Sequence, residues 1–503
     1  DKLTLNLGVR WDYESPFTER FNRMISGFCT SCTNPLQASV TGLPLKGGLH
    51  YVSGRDRFPY PRDLNNWQPR LGFAYALRPQ TVIRAGFGII YFNTLENPFS
   101  SGYSQSTSYT NTADGATPIN TMTNPFPNGV TLPTGNALGL GSAIGQNINF
   151  NDPNHVSPRT TDFTLNIQQQ LPGNLSFQVG YFGARPTRLE VNHNINFLPA
   201  QYYNLGSAEV TYLNGTVPNP MAGQIPGNST LNASTIQQKL LLMPYPEFGN
   251  VTENYSSIGS APYDALQVQV TKTMRNRFSL QGNLTWDKVM LHTFYLNAFD
   301  TRLASVQDGN ATLLANVWGT FEFPRFDSRP RWQRLTIGGW QLNGVLRAAN
   351  GNLISAPGNV DIIGPVAQAH PTYARYFNTC YEDASGNPVA TKPSSPGKPS
   401  VPGCDALSPT PAYRQRLSFT SQQNSTVIGV RQRIRPLVDA SLFKKFALSE
   451  RTSFEIRGEF FNIFNTPIFG GPGTSIGSST FGAVTMTQAN DPRIGQLTAR
   501  INF

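Results

Sequence analysis

The chain has 503 residues and a net charge of +10, with 39% hydrophobic and 14% charged residues. Scarcity of both classes excludes an ordinary soluble globular composition, while 32 Phe and 19 Tyr exclude a disordered chain, which is poor in aromatics. No Lys/Arg block, zinc-finger spacing or basic amphipathic helix accompanies the charge, so nucleic acid is not expected as a partner, and no apolar run reaches transmembrane-helix length.

The first element is "LTLNLGVRWDY". Leu3, Leu5, Leu7, Val9, Trp11 and Tyr13 occupy one phase, and Thr4, Asn6, Gly8, Arg10 and Asp12 the other. This period of two predicts a strand with one dry and one wet face. The pattern recurs at 71–77, 83–91, 163–171, 175–181, 266–270 and 278–286. Weaker copies lie in "NVWGTFEF" and "GWQLNGVLR", and further ones in "VDASLFKKF", "SFEIRGEFF" and "GQLTARINF". The pattern predicts about twelve strands of roughly ten residues, and no convincing helix.

Short connections at 78–80, 172–174, 273–277 and 447–451, with a longer one near 324–337, alternate with long polar segments. The long ones span about 14–68, 92–158, 184–262, 290–314, 350–435 and 467–492. Such long segments argue against an ordinary compact domain. They suit an outer-membrane barrel, whose periplasmic turns are short and extracellular loops long.

Charge placement assigns the faces. Arg10, Asp12, Arg84, Asp162, Asp287, Glu455, Arg457, Glu459 and Arg500 all fall on the polar phase. An Arg or Lys at mid-membrane on the lipid face costs about 2–4 kcal/mol, so the apolar phase faces lipid and the charged phase the lumen. Lys444 is the exception; beside a short turn, its long side chain can snorkel to the interface. The apolar phase of four outward-running strands ends in Tyr13, Tyr91, Tyr181 and Trp286, predicting an aromatic girdle at the outer interface. The fold class is therefore all-β: a transmembrane antiparallel up-and-down β-barrel with long extracellular loops.

Cys29, Cys32, Cys380 and Cys404 allow three pairings, and spacing does not select among them. The favoured reading is two loop disulfides, Cys29–Cys32 and Cys380–Cys404, in an oxidising compartment. Five scattered histidines form no zinc pattern, and no nucleophile elbow or Walker loop is present. No enzyme, metal or cofactor is expected; "DASGN" at 383–387 reads as a polar turn rather than a calcium loop.

The stretch "VDASLFKKFALSERTSFEIRGEFFNIFNTPIF" and the terminal "DPRIGQLTARINF" resemble the end of TonB-dependent outer-membrane receptors. "LTLNLGVRWDYESPFTERFNR", "QPRLGFAYAL" and "VGYFGARPTRL" look like mid-barrel segments of the same group, in particular of receptors with an N-terminal carboxypeptidase-regulatory-like domain. The resemblance implies a barrel of about 22 strands plugged by an N-terminal domain. It also implies cargo binding at the outer mouth and energy delivered by the TonB complex through that plug. This chain departs from that pattern, with about twelve strands and neither a plug nor a TonB box. The expectation is thus the C-terminal part of a larger barrel over 1–503, imperfectly closed, in the bacterial outer membrane. Its expected role is energised uptake of a sizeable nutrient such as an oligosaccharide or peptide; a passive porin and a barrel-anchored adhesion protein are the alternatives. Outer-membrane lipid, lipopolysaccharide and the barrel-assembly machinery are the other partners implied.

Phe503 ends the chain on the lipid phase, the position of an assembly signal in the resembled family. Deleting it is expected to lower the yield of folded protein in outer-membrane fractions; an unchanged yield refutes that role.

Overall fold

The computed structural model describes the chain apart from residues 1, 55–56, 93–96, 108, 110, 113, 128 and 423–425. Twelve strands form one antiparallel wall in chain order. They are β1 (Leu3–Trp11), β2 (Trp67–Arg78), β3 (Thr81–Tyr91), β4 (Arg159–Leu171), β5 (Leu175–Asn194) and β6 (Tyr263–Arg275). The wall continues through β7 (Phe278–Leu291), β8 (Leu313–Glu322), β9 (Trp340–Ala349), β10 (Leu437–Ala447), β11 (Ser453–Phe461) and β12 (Ile494–Asn502). Each strand pairs with its sequence neighbour, so the topology is up-and-down. Among the described residues β1 pairs only with β2, and β12 only with β11. The sheet is therefore not closed.

Register carries the strand pattern across the wall. One row runs Leu5–Phe73–Ala85–Leu165–Tyr181–Leu266–Trp286–Leu313, strand by strand. A second runs Phe321–Leu342–Leu442–Gly458–Leu497. These side chains are exposed wherever they are large. In water that would be an aggregation surface; an outer-membrane wall presents it to hydrocarbon.

All five turn-end connections are short except 323–339, between β8 and β9. Asn276 and Arg277, which join β6 to β7, both lie at positive φ. Such backbone matches the twist of a tight hairpin.

The dry cores lie outside the wall. Among the described residues, buried apolar side chains gather in three clusters, all built from the long loops. Ile25, Leu49, Ile148, Tyr245, Phe248 and Val251 form one of them, drawn from three loops. Val40, Leu45, Met221 and Ile236 form another. The third gathers Val360, Phe377, Tyr413 and Phe481 from the two C-terminal loops. The upper half of β5 pairs with Val251–Ser260, which in turn pairs in parallel with Ile148–Asn151. The segments expected to lack regular structure thus form a folded cap, and it contains a helix over Ser207–Asn214.

Glu247 is fully buried beside Tyr245 and Phe248 in this cap. Neither of its carboxylate oxygens has a hydrogen-bond partner among the described residues, and burial pushes its pKa up from 4.5 to about 8. Between those values the native state holds a proton that the unfolded chain has released. Cap stability therefore falls as pH rises through that window.

Two outcomes are expected. Val268 and Gln269 are neighbours on opposite faces of β6. In urea titrations of the chain in lipid vesicles, Val268→Arg should cost about 2–4 kcal/mol and Gln269→Arg less than about 0.5 kcal/mol. In near-ultraviolet circular dichroism melts, Glu247→Gln should raise the cap's midpoint at pH 8 and leave it unchanged at pH 4. Parallel pH profiles for both proteins refute the buried-proton account.

Candidate functional site

The wall's second face is built from the polar phase of the same strands. Its register line runs Gln168–Gln178–Gln269–Asn283–Asn316–Arg347 across six strands, β4 to β9. Five consecutive amides form a ladder, which ends at a guanidinium. Asn316 Nδ2 donates to Asn283 Oδ1 at 3.2 Å, and Arg84 Nη1 donates to Gln168 Oε1 at 2.6 Å. Arg347 closes the row in an ion pair with Asp439 of β10. Amides offer donors and acceptors at once, so this face suits water or a polar filling and costs heavily against hydrocarbon. Its polarity is broken by apolar side chains on the same phase, Phe182, Trp318, Val345 and Phe443 among them.

The charges named from the sequence lie on this face in short networks. Asp12 accepts from Arg10 Nε at 2.8 Å and from Gln68 Nε2 at 2.5 Å. Tyr263 OH donates to Asp287 at 3.1 Å. Arg457 sits between Glu455 and Glu459, at 3.0 and 3.5 Å. Arg500 is in register opposite Glu455, and Gln496 donates to Glu459 at 2.5 Å. Sequence reasoning set Gln269 and Asn283 on the polar phase but did not single out Gln178, Asn316 or Asp439. They stand on the polar phase of their strands, but only the register reveals them as one row.

The expectation for Tyr91 is corrected. Tyr13, Tyr181 and Trp286 are exposed, but Tyr91 is 8% exposed. Its hydroxyl donates to Asn65 O at 3.4 Å and accepts from Arg159 Nη1, so the β1–β2 loop and β4 cover it. Lys444 does not reach out to solvent. Its Nζ donates to the carbonyls of Arg334 and Leu335 at 3.0 and 2.6 Å. Charges also stand on the lipid phase at the outer strand ends: Arg185 pairs with Asp264 at 2.8 Å, and Lys288 lies opposite Asp264. Phe503 is fully exposed just beyond β12.

In the cap, Cys29 is bonded to Cys32 and Cys380 to Cys404. His50 lies near the first pair, but a disulfide has no thiolate to offer a metal. Asp383 accepts from the backbone of Ser385 and Asn387, each at 2.9 Å, and so closes a turn. Arg375 grips Asp405 at 2.5 Å and holds its carboxyl down at about 2.

A cavity of about 510 Å³ opens between the β3–β4 and β5–β6 loops. Ser100, Gln105, Thr134, Gln146, Asn147 and Gln224 supply its polar lining, with Ile144 and Ile225 as apolar patches. No charged side chain lines it among the described residues. It therefore offers neutral hydrogen-bonding groups on a partly apolar surface, at the loop end of the wall.

The sequence matches the outer membrane beta barrel domain family over residues 1–496. No curated protein matches it. Among solved structures it is similar to the ferric-catecholate import receptor Fiu of Escherichia coli K12, at 11% identity and a TM-score of 0.37, covering 100% of this chain and 42% of that one. It is similar to the outer membrane transporter YddB from Escherichia coli at 9% identity and a TM-score of 0.39, covering 91% and 42%. For the ferripyoverdine receptor of the outer membrane of Pseudomonas aeruginosa the values are 10% and 0.34, covering 91% and 35%. The chain thus spans well under half the length of these structures. With its apolar outer rows, its amide-lined inner face and a family match over nearly its whole length, the chain belongs to the outer membrane beta barrel domain family and lies in the bacterial outer membrane.

Proposed function

We propose that this chain is the barrel portion of a TonB-dependent receptor that takes up a neutral, polyhydroxylated nutrient, an oligosaccharide. The observation that carries the cargo class is the cap cavity, whose described lining offers hydroxyls and amides and no charged side chain. Sugars are held by such groups, each hydrogen bond contributing about 0.5–1.5 kcal/mol net. An anionic cargo would leave its charge without a partner there. The resemblance of 438–469 and of the C-terminus supports energised uptake, through a plug and TonB box supplied by the rest of the protein, with a carboxypeptidase-regulatory-like domain ahead of them. The unpaired edges of β1 and β12 support a wall completed by further strands. The amide ladder gives such a plug a polar wall to rest on. No chemical step is assigned to the chain.

Calorimetry of the detergent-solubilised chain against neutral oligosaccharides and against peptides tests the reading. Saturable oligosaccharide binding is expected, with the Gln146→Ala/Gln224→Ala double variant weaker by about tenfold. Binding of peptides alone overturns the cargo class. A steady open channel formed by the complete protein in planar bilayers overturns energised transport in favour of a porin.

A further inference from the structure

The connection 323–339 is the exception among the turns at its end of the wall. It folds back onto the wall. Phe323 N–H donates to Trp340 O at 2.8 Å and Gly339 N–H to Pro324 O at 3.0 Å. A short helix, Arg331–Thr336, is pinned by two side chains. Lys444 Nζ donates to Arg334 O and Leu335 O, and Trp340 Nε1 donates to Thr336 O at 2.7 Å. Trp340 and Lys444 are in register with each other, two residues along from the Leu342–Leu442 pair and so on the same face. Both therefore project from the lipid-facing side, and they tie the last turn of the helix to that side of the strand ends.

What the turn exposes is amphipathic. Trp332 is 64% exposed and Ile337 54%, with Leu335 and Phe326 also exposed. Arg325, Arg329, Arg331 and Arg334 accompany them against a single acid within the turn, Asp327. Among the described residues none of these four guanidiniums is in an ion pair. Arg325 and Arg334 line a cavity of about 1100 Å³ beneath the strand ends, with Arg277 and Lys445. Its acids are Glu322 and Asp327, so the lining keeps an excess of positive charge.

We infer that residues 323–339 form an interfacial anchor that grips anionic phospholipid headgroups of the periplasmic leaflet. Turns at the short-loop end of such barrels face the periplasm. The exposed Trp332, Leu335 and Ile337 extend the apolar outer rows to the boundary, where a tryptophan with an apolar body and one donor is favoured. The unpaired arginines then stand level with phosphates, and charge complementarity selects anionic over zwitterionic lipid. Lys444 orients the helix: by capping its carbonyls it holds the apolar side chains toward the bilayer. The inference rests on outer-membrane location and is independent of the cargo.

The full chain is reconstituted in nanodiscs of phosphatidylcholine with and without phosphatidylglycerol. Leu335→Cys carries a fluorophore, since the described native cysteines are all in disulfides. Shielding of the probe from acrylamide is expected, strongest with phosphatidylglycerol. Mass spectrometry of retained lipid should show phosphatidylglycerol enrichment that falls about fivefold for each arginine removed in Arg331→Gln and Arg334→Gln. Should those variants not assemble, Trp332→Ser is expected to expose the probe while the enrichment persists. A probe equally quenched in both lipids, or enrichment unchanged by loss of both arginines, overturns the inference. A water-exposed probe together with capture of a periplasmic protein by the turn also overturns it.

Discussion

Backbone hydrogen bonding across hydrocarbon is the constraint on which this structure depends. In lipid no water can satisfy an amide, so each N–H and C=O of the spanning segments must find a partner in the sheet. Once the ladder is obligatory, its pleat forces neighbouring residues to opposite faces, and the two faces meet two solvents. The row from Leu5 to Leu313 and the row from Gln168 to Arg347 are the two consequences of that geometry. A one-residue slip of any strand would exchange them, placing amides in lipid and leucines in the lumen. Register is thus held by solvent on both sides, without a packed core in the wall.

The cap obeys a different rule. It stands in water and must bury apolar surface to fold, at about 25 cal/mol per Å². Its clusters therefore contain Phe377, Tyr413 and Phe481 with almost no exposed area, whereas Phe73, Tyr181 and Phe321 of the wall are open. Entropy also weighs differently. The wall's turns are short and cheap to close, while the cap joins Ile25 to Tyr245 across most of the first half of the sequence. Two disulfides, one of them linking Cys380 to Cys404 beside the C-terminal cluster, restrict the unfolded alternatives of those loops. The two regions draw on different solvents for their driving force and need not lose structure together.

This difference explains what was legible in the sequence. Wall strands announce themselves within nine or ten residues, because period-two alternation is local. Arg10 and Asp12 were enough to orient β1. The cap left no such signature: Ile148, Tyr245 and Val251 become neighbours only once three loops have folded, and nothing periodic links them. Tyr91 shows the same limit on a small scale. Its phase was readable, but its cover comes from Asn65 and Arg159, 26 and 68 positions away. The amide ladder was half legible, since each amide lies on a polar phase, yet its continuity is a property of pairing. The charge-free cavity was not legible at all, because it is a void between loops rather than a motif.

Lys444 shows how a violation of a local rule points to a compensating partner. A buried cation on the lipid phase costs free energy unless its protons are satisfied. The carbonyls that satisfy them belong to the last turn of a helix, where lone pairs and partial negative charge are otherwise unmet. The helix in turn exists only because the β8–β9 connection is far longer than hairpin closure requires. A minimal turn at that place would leave Lys444 unpaired near hydrocarbon, so the cation and the long connection are coupled features. The cation-π contacts of Lys444 with Trp340 and Phe446, at 5.9 and 5.0 Å, fix the same arrangement from the wall side. A lysine read from sequence as an exception to the lipid face is, in the folded chain, the fastening of the one turn-end element that departs from the hairpin plan.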